Sequence, residues 1–145
     1  QLASTSNLNL NALVTPVEIP WDVELFKDIS AFSHSNSTNP SRIIVLYNGL
    51  YEINYMFSIQ NDDNQRKTLR SRIRKNGTLY LDESASYSFT YSKFDDKSTH
   101  ESSSFLVELN TNDYLKVLLN GQTNPGPVYM IPNENLIFVR IIRTW

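Results

Sequence analysis

Alternating apolar and polar side chains are clearest in residues 42–60. The apolar run 43–47 leads into Asn48-Gly49, a pair that accepts the positive φ angles of a primed hairpin turn. After that pair every second residue is apolar, and these residues are Tyr51, Ile53, Tyr55, Phe57 and Ile59. Because successive side chains of a strand point to opposite faces, this set is predicted to lie in a core. The pattern predicts two strands joined by a tight hairpin turn.

Two further turn signals divide the middle of the chain. Residues 69–75 and 78–81 flank Asn76-Gly77, which predicts a second hairpin. Apolar segments also flank the four-residue turn 110–113, whose Asn and Asp side chains tolerate left-handed backbone or cap it. This third signal predicts another unit of two strands joined by a short turn.

The two ends of the chain carry different signals. The nearly continuous apolar run 136–142 predicts a closing strand with both faces buried, which in a chain of this size hints at a subunit interface. The first part is less regular, and short edge strands are predicted at 13–15, 17–19 and 31–33. Residues 21–29 are predicted to form one helical turn at most.

Together these signals predict about eight to ten short strands and no sustained helix, which is typical of an all-β antiparallel jelly-roll sandwich. A length of 145 residues fits one domain, spanning 1–145. The chain starts without Met and without a signal-peptide pattern, so residues 1–12 are expected to be an extended lead-in from a longer parent chain.

Antiparallel strands that run up and down place the three short turns at one end of the sandwich. The longer connections 61–68, 91–104 and 122–135 then gather at the other end. Long loops on one rim are typical of a recognition surface, although they can also be merely solvated. The candidate receptor-binding or ligand-binding residues of this rim are Asp62, Asp63, Arg66, Lys93, Phe94, Asp95, Asp96, His100 and Tyr129.

Several of these segments resemble the globular heads of complement component one-q and the tumour necrosis factor superfamily. The residues that carry the resemblance are Gly49-Leu50-Tyr51, Ile53, Tyr55, Phe57, Asn76-Gly77, 109–115 and 138–142. The resemblance implies a ten-stranded jelly roll that assembles as a homotrimer. Asn112 departs from the family pattern, which has Gly before the Asp, but Asn also enters the left-handed region.

Within that class, segments in residues 21–35 and 70–77, together with the Gly49-Leu50-Tyr51 strand, are similar to head domains on virus and bacteriophage fibres and spikes. This similarity implies a viral spike head on the virion surface, or an extracellular one, that attaches to a glycan or protein receptor of the host. Other virion proteins would contact its N-terminal side. The alternatives are a secreted carbohydrate-binding jelly-roll module and a structural virion or appendage protein.

Charge narrows the classes of partner. Thirteen basic and fifteen acidic residues leave a net charge of −2, without the positive field of a nucleic-acid binder. No apolar stretch approaches the roughly 18 residues of a membrane span, so membrane insertion is not expected. Arg70, Arg72 and Arg74 occupy alternate positions and share one strand face. They predict an anion-binding stripe for acidic glycans, a row of subunit contacts, or a solvated face that protects a sheet edge.

Catalytic and metal-binding signals are weak. His34 and His100 stand in polar, Ser-rich surroundings where solvated imidazoles are expected. No nucleophile elbow, metal-binding His pair or phosphate loop is present, so the chain is predicted not to be an enzyme. Carboxylates that offer oxygen ligands to calcium are Asp62, Asp63, Asp95, Asp96, Glu101 and Asp113. Their spacing matches no known ligand loop, and neither a metal nor a cofactor is predicted.

Overall fold

A computed structural model describes residues 1–10, 16–91, 98–121 and 126–145 of the chain. Its described part contains twelve strands and no helix, in two antiparallel sheets, which confirms the predicted all-β jelly-roll sandwich. Three of the twelve are only two residues long, so the count exceeds the eight to ten expected. The strands are β1 Leu2–Ser4, β2 Val17–Glu18, β3 Val23–Glu24, β4 Phe32–Ser33, β5 Ile43–Val45, β6 Gly49–Asn61, β7 Lys67–Lys75, β8 Leu79–Thr90, β9 Ser98–Leu109, β10 Tyr114–Gly121, β11 Val128–Met130 and β12 Asn135–Thr144. No helix in these ranges is long and apolar enough to cross a membrane.

The first sheet, sheet A, is built around β6. One edge of β6 pairs with β9 along nearly its whole length, and the other edge pairs with β12 and then, near its C-terminal end, with β11. Beyond β12 the sheet continues through β1 to β3. Its strand order is therefore β9-β6-β12-β1-β3, with β11 beside the last residues of β6.

The second sheet, sheet B, has the order β4-β5-β10-β7-β8, and β2 adds to the same edge of β10 as β5. β8 pairs with β7 and ends the sheet, so it is an edge strand. A bulge lies between β7 and β8, near Arg72. Bulges strengthen local twist, which is common near the edge of a sandwich.

The core lies between the inward faces of the two sheets. The largest fully buried aromatic side chains are Trp21, Tyr51, Tyr55 and Phe57. Tyr55 of sheet A also makes polar contacts across the core: its hydroxyl lies 2.8 Å from Ser71 Oγ and donates to the Ser84 carbonyl at 2.7 Å. Because Ser71 and Ser84 both belong to sheet B, this hydroxyl fixes the sheets to each other as well as filling the core.

The hairpin predicted at Asn76-Gly77 is confirmed, and the one at Asn48-Gly49 is wrong. Asn76 and Gly77 have φ angles of 52° and 77° and connect the paired strands β7 and β8. The strands on either side of Gly49 belong to different sheets, so the chain crosses from sheet B to sheet A there. Gly49 is needed for a different reason, because a Cβ at this position would collide with the Arg143 carbonyl on β12.

The turn 110–113 also connects strands of different sheets, β9 and β10. Asn112 has a φ of 69°, in the left-handed region expected for it. Asn48 Oδ1 accepts a hydrogen bond from the Thr111 amide at 2.7 Å, and Asn76 Nδ2 donates to Asp113 at 2.6 Å. The three short turns therefore meet at one end of the sandwich, as predicted; we call it the turn end.

Two of the predicted edge strands lie in the described residues, and both are found, as β2 and β4. The third, at 13–15, lies outside the described residues. Residues 21–29 contain the short strand β3 instead of a helical turn. The connection predicted at 91–104 is shorter than expected because β9 already begins at Ser98, and the one at 122–135 contains β11.

Candidate functional site

The rim predicted from the longer connections lies at the end opposite the turn end; we call it the loop end. Asn61 Nδ2 donates to the carbonyls of Gln65 at 2.8 Å and Tyr91 at 2.6 Å. The Asp62 amide donates to the Pro127 carbonyl at 2.9 Å. These bonds bring the ends of all three connections together, so loop 62–66 lies beside Tyr91 and Pro127.

One acidic candidate of this rim is already paired. The Asp63 carboxylate binds the Lys67 ammonium at 2.5 Å, and the Lys67 side chain is only 2% exposed. A Cβ at Gly126 would collide with both groups, so this glycine lets the third connection approach the pair. A buried ammonium needs such a partner, because an uncompensated charge in the interior is strongly unfavourable. Asp63 therefore has a structural role at the loop end, and Asp62 beside it is exposed.

The other rim candidates are spread over different positions. The Arg66 guanidinium lies over the Phe89 and Tyr91 rings, 4.9 and 5.8 Å from their centroids. Tyr129 belongs to β11, where it pairs with Gln60 and is half-buried. The candidates Lys93, Phe94, Asp95 and Asp96 lie outside the described residues. His100 is opposite Ser58 on β9, and its side chain lies outside the described part.

The three arginines of β7 share the outward face of sheet B, while Leu69, Ser71 and Ile73 between them are buried inward. Their environments differ. Arg74 Nη2 binds Glu18 at 2.6 Å, and Lys116 Nζ binds the other oxygen of Glu18 at 2.6 Å. Glu18 belongs to β2, far away in the sequence.

Glu18 is held in its charged form by these contacts. Burial opposes ionisation, but hydrogen bonds from Lys116 and Ser41, together with the charges of Lys116 and Arg74, outweigh it and lower the pKa of Glu18. The carboxylate thus neutralises one end of the arginine row.

Arg70 and Arg72 stack on tyrosines instead. The Arg72 guanidinium lies 3.5 Å from the Tyr80 ring centroid, and that of Arg70 lies 5.5 Å from the Tyr87 centroid. No carboxylate of the described residues is within ion-pair distance of either guanidinium. The sequence signal for rings on this side of the sheet is the alternation of Tyr87, Phe89 and Tyr91, which places them on one face.

The outward face of sheet A is different in character. Met56 and Phe138 are exposed there, and Leu106 is 55% exposed. They lie in neighbouring rows of the sheet, since Phe138 pairs with Asn54 and Leu106 with Glu52. Glu52 forms an ion pair with Arg140 across the β6–β12 ladder. This face thus presents exposed apolar side chains and one ion pair. In the run 136–142, Ile137 is buried and Val139 and Ile141 are half-buried inward, whereas Phe138, Arg140 and Ile142 are exposed.

The candidate calcium ligands that the structure describes do not form one site, and Asp95, Asp96 and the Glu101 side chain lie outside the described part. Asp63 binds Lys67 at the loop end, and Asp113 binds Lys75 at 2.6 Å at the turn end. In the described ranges no group of three or more His, Cys, Asp or Glu side chains is arranged to hold a metal ion.

A cavity of about 320 Å³ lies beside β12, lined by apolar residues that include Phe26, Phe32 and Ile137, and by His34. The expectation of a solvated His34 is wrong: its side chain is 1% exposed. Its Nδ1 contacts Glu24 Oε1 at 2.9 Å and its Nε2 contacts the Pro40 carbonyl at 3.0 Å. No sequence signal indicated this burial, because both partners are brought in by chain folding.

Solved structures share this architecture. The structure of Eiger TNF from S. frugiperda matches with a TM-score of 0.62 and 15% identity, over 99% of this chain and 90% of that one. The globular domain of the zebrafish complement 1qA protein matches with a TM-score of 0.59 and 14% identity, over 99% and 96%. Murine APRIL matches with a TM-score of 0.53 and 12% identity, over 89% and 92%.

No protein-family model and no curated protein matches the sequence. The structural matches show that the fold is the jelly roll of the tumour necrosis factor and complement one-q heads, which confirms that part of the resemblance. The likeness to virus and phage spikes stays a prediction.

Proposed function

We propose that this chain is a non-enzymatic binding head that assembles as a homotrimer and attaches a viral or phage spike to a host-cell receptor through its loop end. It would act on the virion surface or in another extracellular setting, and the receptor is a glycan or a protein. The fold and the residue patterns that resemble complement one-q and tumour necrosis factor heads support this proposal.

The observation that carries the proposal is the outward face of sheet A. Met56, Leu106 and Phe138 are apolar side chains that stay open to water on this one face of the single chain. Exposed apolar patches on a folded chain mark interaction sites, because burying them against a partner releases their hydration water. A second and a third copy of this chain are the occupants that the family resemblance implies.

The direction of the strands supports the division of the head into two ends. β1 runs antiparallel to β12, with Ser4 opposite Asn135 and Leu2 opposite Ile137. Asn135 binds the Ser58 amide near the loop end, whereas Thr144 pairs with Gly49 at the turn end. The N-terminal side of β1 thus faces the turn end, where other virion proteins would attach, and the loop end points away from them.

The oligomeric state tests the assembly. Leu106 and Leu79 offer a matched pair, since they are 55% and 58% exposed on different sheets. We expect light scattering to give a trimer for the unaltered chain and for Leu79→Glu, and a monomer for Leu106→Glu, because a carboxylate cannot be buried unpaired in an interface. A stable monomer of the unaltered chain at micromolar concentration would refute the trimer.

Binding to host cells tests the role of the loop end. We expect the labelled head to bind cells of a susceptible host, and we expect Asp62→Lys to reduce this binding while the trimer stays intact. Glycan-array hits from a monomer would favour a secreted carbohydrate-binding module instead. Co-purification with a coat protein, together with no cell binding, would favour a structural virion protein.

A further inference from the structure

Arg70 and Arg72 stand out among the cations on the outward face of sheet B. Arg74 and Lys116 share Glu18, so their charges are largely compensated. Arg70 and Arg72 have no such carboxylate in the described part of the chain. The acidic residues nearest in sequence on the neighbouring strand, Asp82 and Glu83 of β8, are exposed and form no ion pair with them.

The stacking of these arginines keeps their donors oriented. A guanidinium that lies over a ring uses its flat face for the contact and leaves its N–H groups pointing outward in its own plane. The Nε atoms of Arg70 and Arg72 are covered and have no hydrogen-bond partner in the described chain. The terminal nitrogens are therefore the groups that a ligand oxygen can reach, in the fork geometry that suits carboxylate and sulfate.

Exposed aromatic rings continue the same surface along β8. Tyr87 and Phe89 lie opposite Arg70 and Thr68 of β7, Tyr91 follows the end of β8, and each ring is about half exposed. Such rings offer apolar faces with a polar or cationic neighbour, which suits the C–H faces of sugar rings. We call Arg70, Arg72, Tyr80, Tyr87 and Phe89 the arginine–tyrosine face.

The position of this face determines what can reach it. It lies on the sheet opposite the apolar face proposed for assembly, and on the edge strand β8, so it stays open in a trimer formed through sheet A. The chain as a whole has a net charge of −2, and the positive charges of Arg70 and Arg72 lie together on this face without an ion-pair partner in the described residues. A local field of this kind attracts an anion without making the whole domain bind polyanions.

We propose that the arginine–tyrosine face binds an acidic glycan. Arg70 and Arg72 receive its sulfate or carboxylate groups, about 7 Å apart because alternate residues of a strand have that spacing, and Tyr87 and Phe89 pack against its sugar rings. This site is separate from the loop end, and it rests on the proposed function only in requiring that sheet B remain exposed.

The test measures binding of the full chain to dextran sulfate, polysialic acid and uncharged dextran by surface plasmon resonance. We expect binding to at least one acidic polymer, none to dextran, and weakening as salt rises. The sulfate and carboxylate arms identify the group that is recognised. Arg70→Gln and Arg72→Gln should each weaken binding about tenfold, and the double variant roughly a hundredfold, as expected for charged hydrogen bonds.

Control variants separate a formed site from net charge. Arg143→Gln removes one positive charge from exposed β12 and should change the affinity less than twofold. Arg70→Lys with Arg72→Lys keeps both charges but loses the planar fork, and should weaken binding about fivefold or more. Equal binding by the Lys variant and the unaltered chain would reduce the site to nonspecific attraction and overturn the proposal.

Unchanged affinity in a folded Arg70→Gln, Arg72→Gln chain would also overturn it. If that variant instead lost only trimer stability, the arginines would belong to subunit contacts. A monomeric unaltered chain that still bound acidic polymer through these arginines would support the site while refuting the trimer, so the two proposals fail independently.

Discussion

Both sheets alternate inward and outward side chains along their strands, but the outward side chains of the two sheets differ in chemistry. On sheet A, Met56, Leu106 and Phe138 leave apolar surface exposed, with the Glu52–Arg140 pair among them. On sheet B, Arg70, Arg72 and Arg74 occupy outward positions of β7; Arg74 pairs with Glu18, and Arg70 and Arg72 lie over tyrosine rings. The proposed trimer would bury the apolar face, and the proposed glycan site uses the arginines of the other face. The two proposals therefore place assembly and glycan binding on opposite layers of the sandwich.

The largest effect is expected where the chain passes from one layer to the other. Asp113 is buried and accepts hydrogen bonds from Lys75, Asn76 and the Asn110 amide. Asp113→Ala leaves these donors without their acceptor and should lower the free energy of unfolding by about 3 kcal/mol. Urea unfolding at fixed protein concentration measures this loss. If the loss is below about 1 kcal/mol, the turn contributes little to holding the two sheets together.

The same residue predicts an acid dependence. Burial opposes ionisation of Asp113, but the bonds from Lys75, Asn110 and Asn76 outweigh it, so its pKa is lowered from 3.8. A lowered pKa contributes stability that is present above the unfolded value and disappears as the pH falls through the folded value. When the pH is lowered below about 4, the free energy of unfolding should therefore fall less for Asp113→Ala than for the unaltered chain. Asn112→Gly is the control, because glycine adopts the φ of 69° freely.

A smaller effect is expected inside the sandwich. The Tyr55 hydroxyl bonds to Ser71 and Ser84, so Tyr55→Phe removes a polar link between the sheets and should cost about 1–2 kcal/mol. Tyr51→Phe is the matched control, since its hydroxyl donates to the carbonyl of half-exposed Tyr47, which water can reach. Thermal unfolding compares the two. Equal losses would mean that the hydrogen bonds between the sheets stabilise the fold no more than the bond of Tyr51 to Tyr47 does.

Glu18 tests the charged face directly. Glu18→Gln releases Arg74 and Lys116, so it should cost about 1 kcal/mol and strengthen binding to dextran sulfate about threefold. Because the pKa of Glu18 is lowered, its contribution is present above the unfolded value and is lost on acidification. The free energy of unfolding of the variant should therefore fall less than that of the unaltered chain as the pH drops below about 4.5. Weaker binding in the variant would contradict the charge balance described for this face.

The smallest effect is expected from the equivalent change on sheet A. Glu52 pairs with Arg140, whose side chain is 57% exposed in the single chain. Glu52→Gln in the monomeric chain should cost no more than about 0.5 kcal/mol, as is usual for exposed pairs. Chemical denaturation of both Glu→Gln variants sharpens the comparison. A larger loss of unfolding free energy for Glu52→Gln than for Glu18→Gln would contradict the stronger ion pairing described for sheet B.

A turn could be predicted from the sequence where the conformation of one residue pair was enough to define it. Asn76-Gly77 both need positive φ and lie between paired strands, so the signal and the structure agree. Asn48-Gly49 has the same two residue types, but a glycine is needed there because the Arg143 carbonyl lies too close for a Cβ. A sequence window around Gly49 contains no information about a strand that lies far along the chain, so this prediction was wrong.

The alternation of β7 placed Arg70, Arg72 and Arg74 on one face correctly, but it could not give their partners. Glu18, Tyr80 and Tyr87 reach them only after β2 joins β10 and β8 folds back on β7. The start of β9 was missed for another reason. Its first residues are mostly Ser and Thr, without apolar alternation, and they form a strand because the backbone of β6 offers a free edge.

The pairing of β1 with β12 joins two segments from opposite ends of the described chain. Closing so long a loop costs conformational entropy before any contact compensates for it, and folding slows as such contacts become numerous. The local β7–β8 hairpin of sheet B can form early, whereas sheet A is complete only when β12 arrives between β6 and β1. We therefore expect stopped-flow refolding in milliseconds to seconds, with an intermediate that exposes β6 and is the species most prone to aggregate; refolding within microseconds would contradict this order.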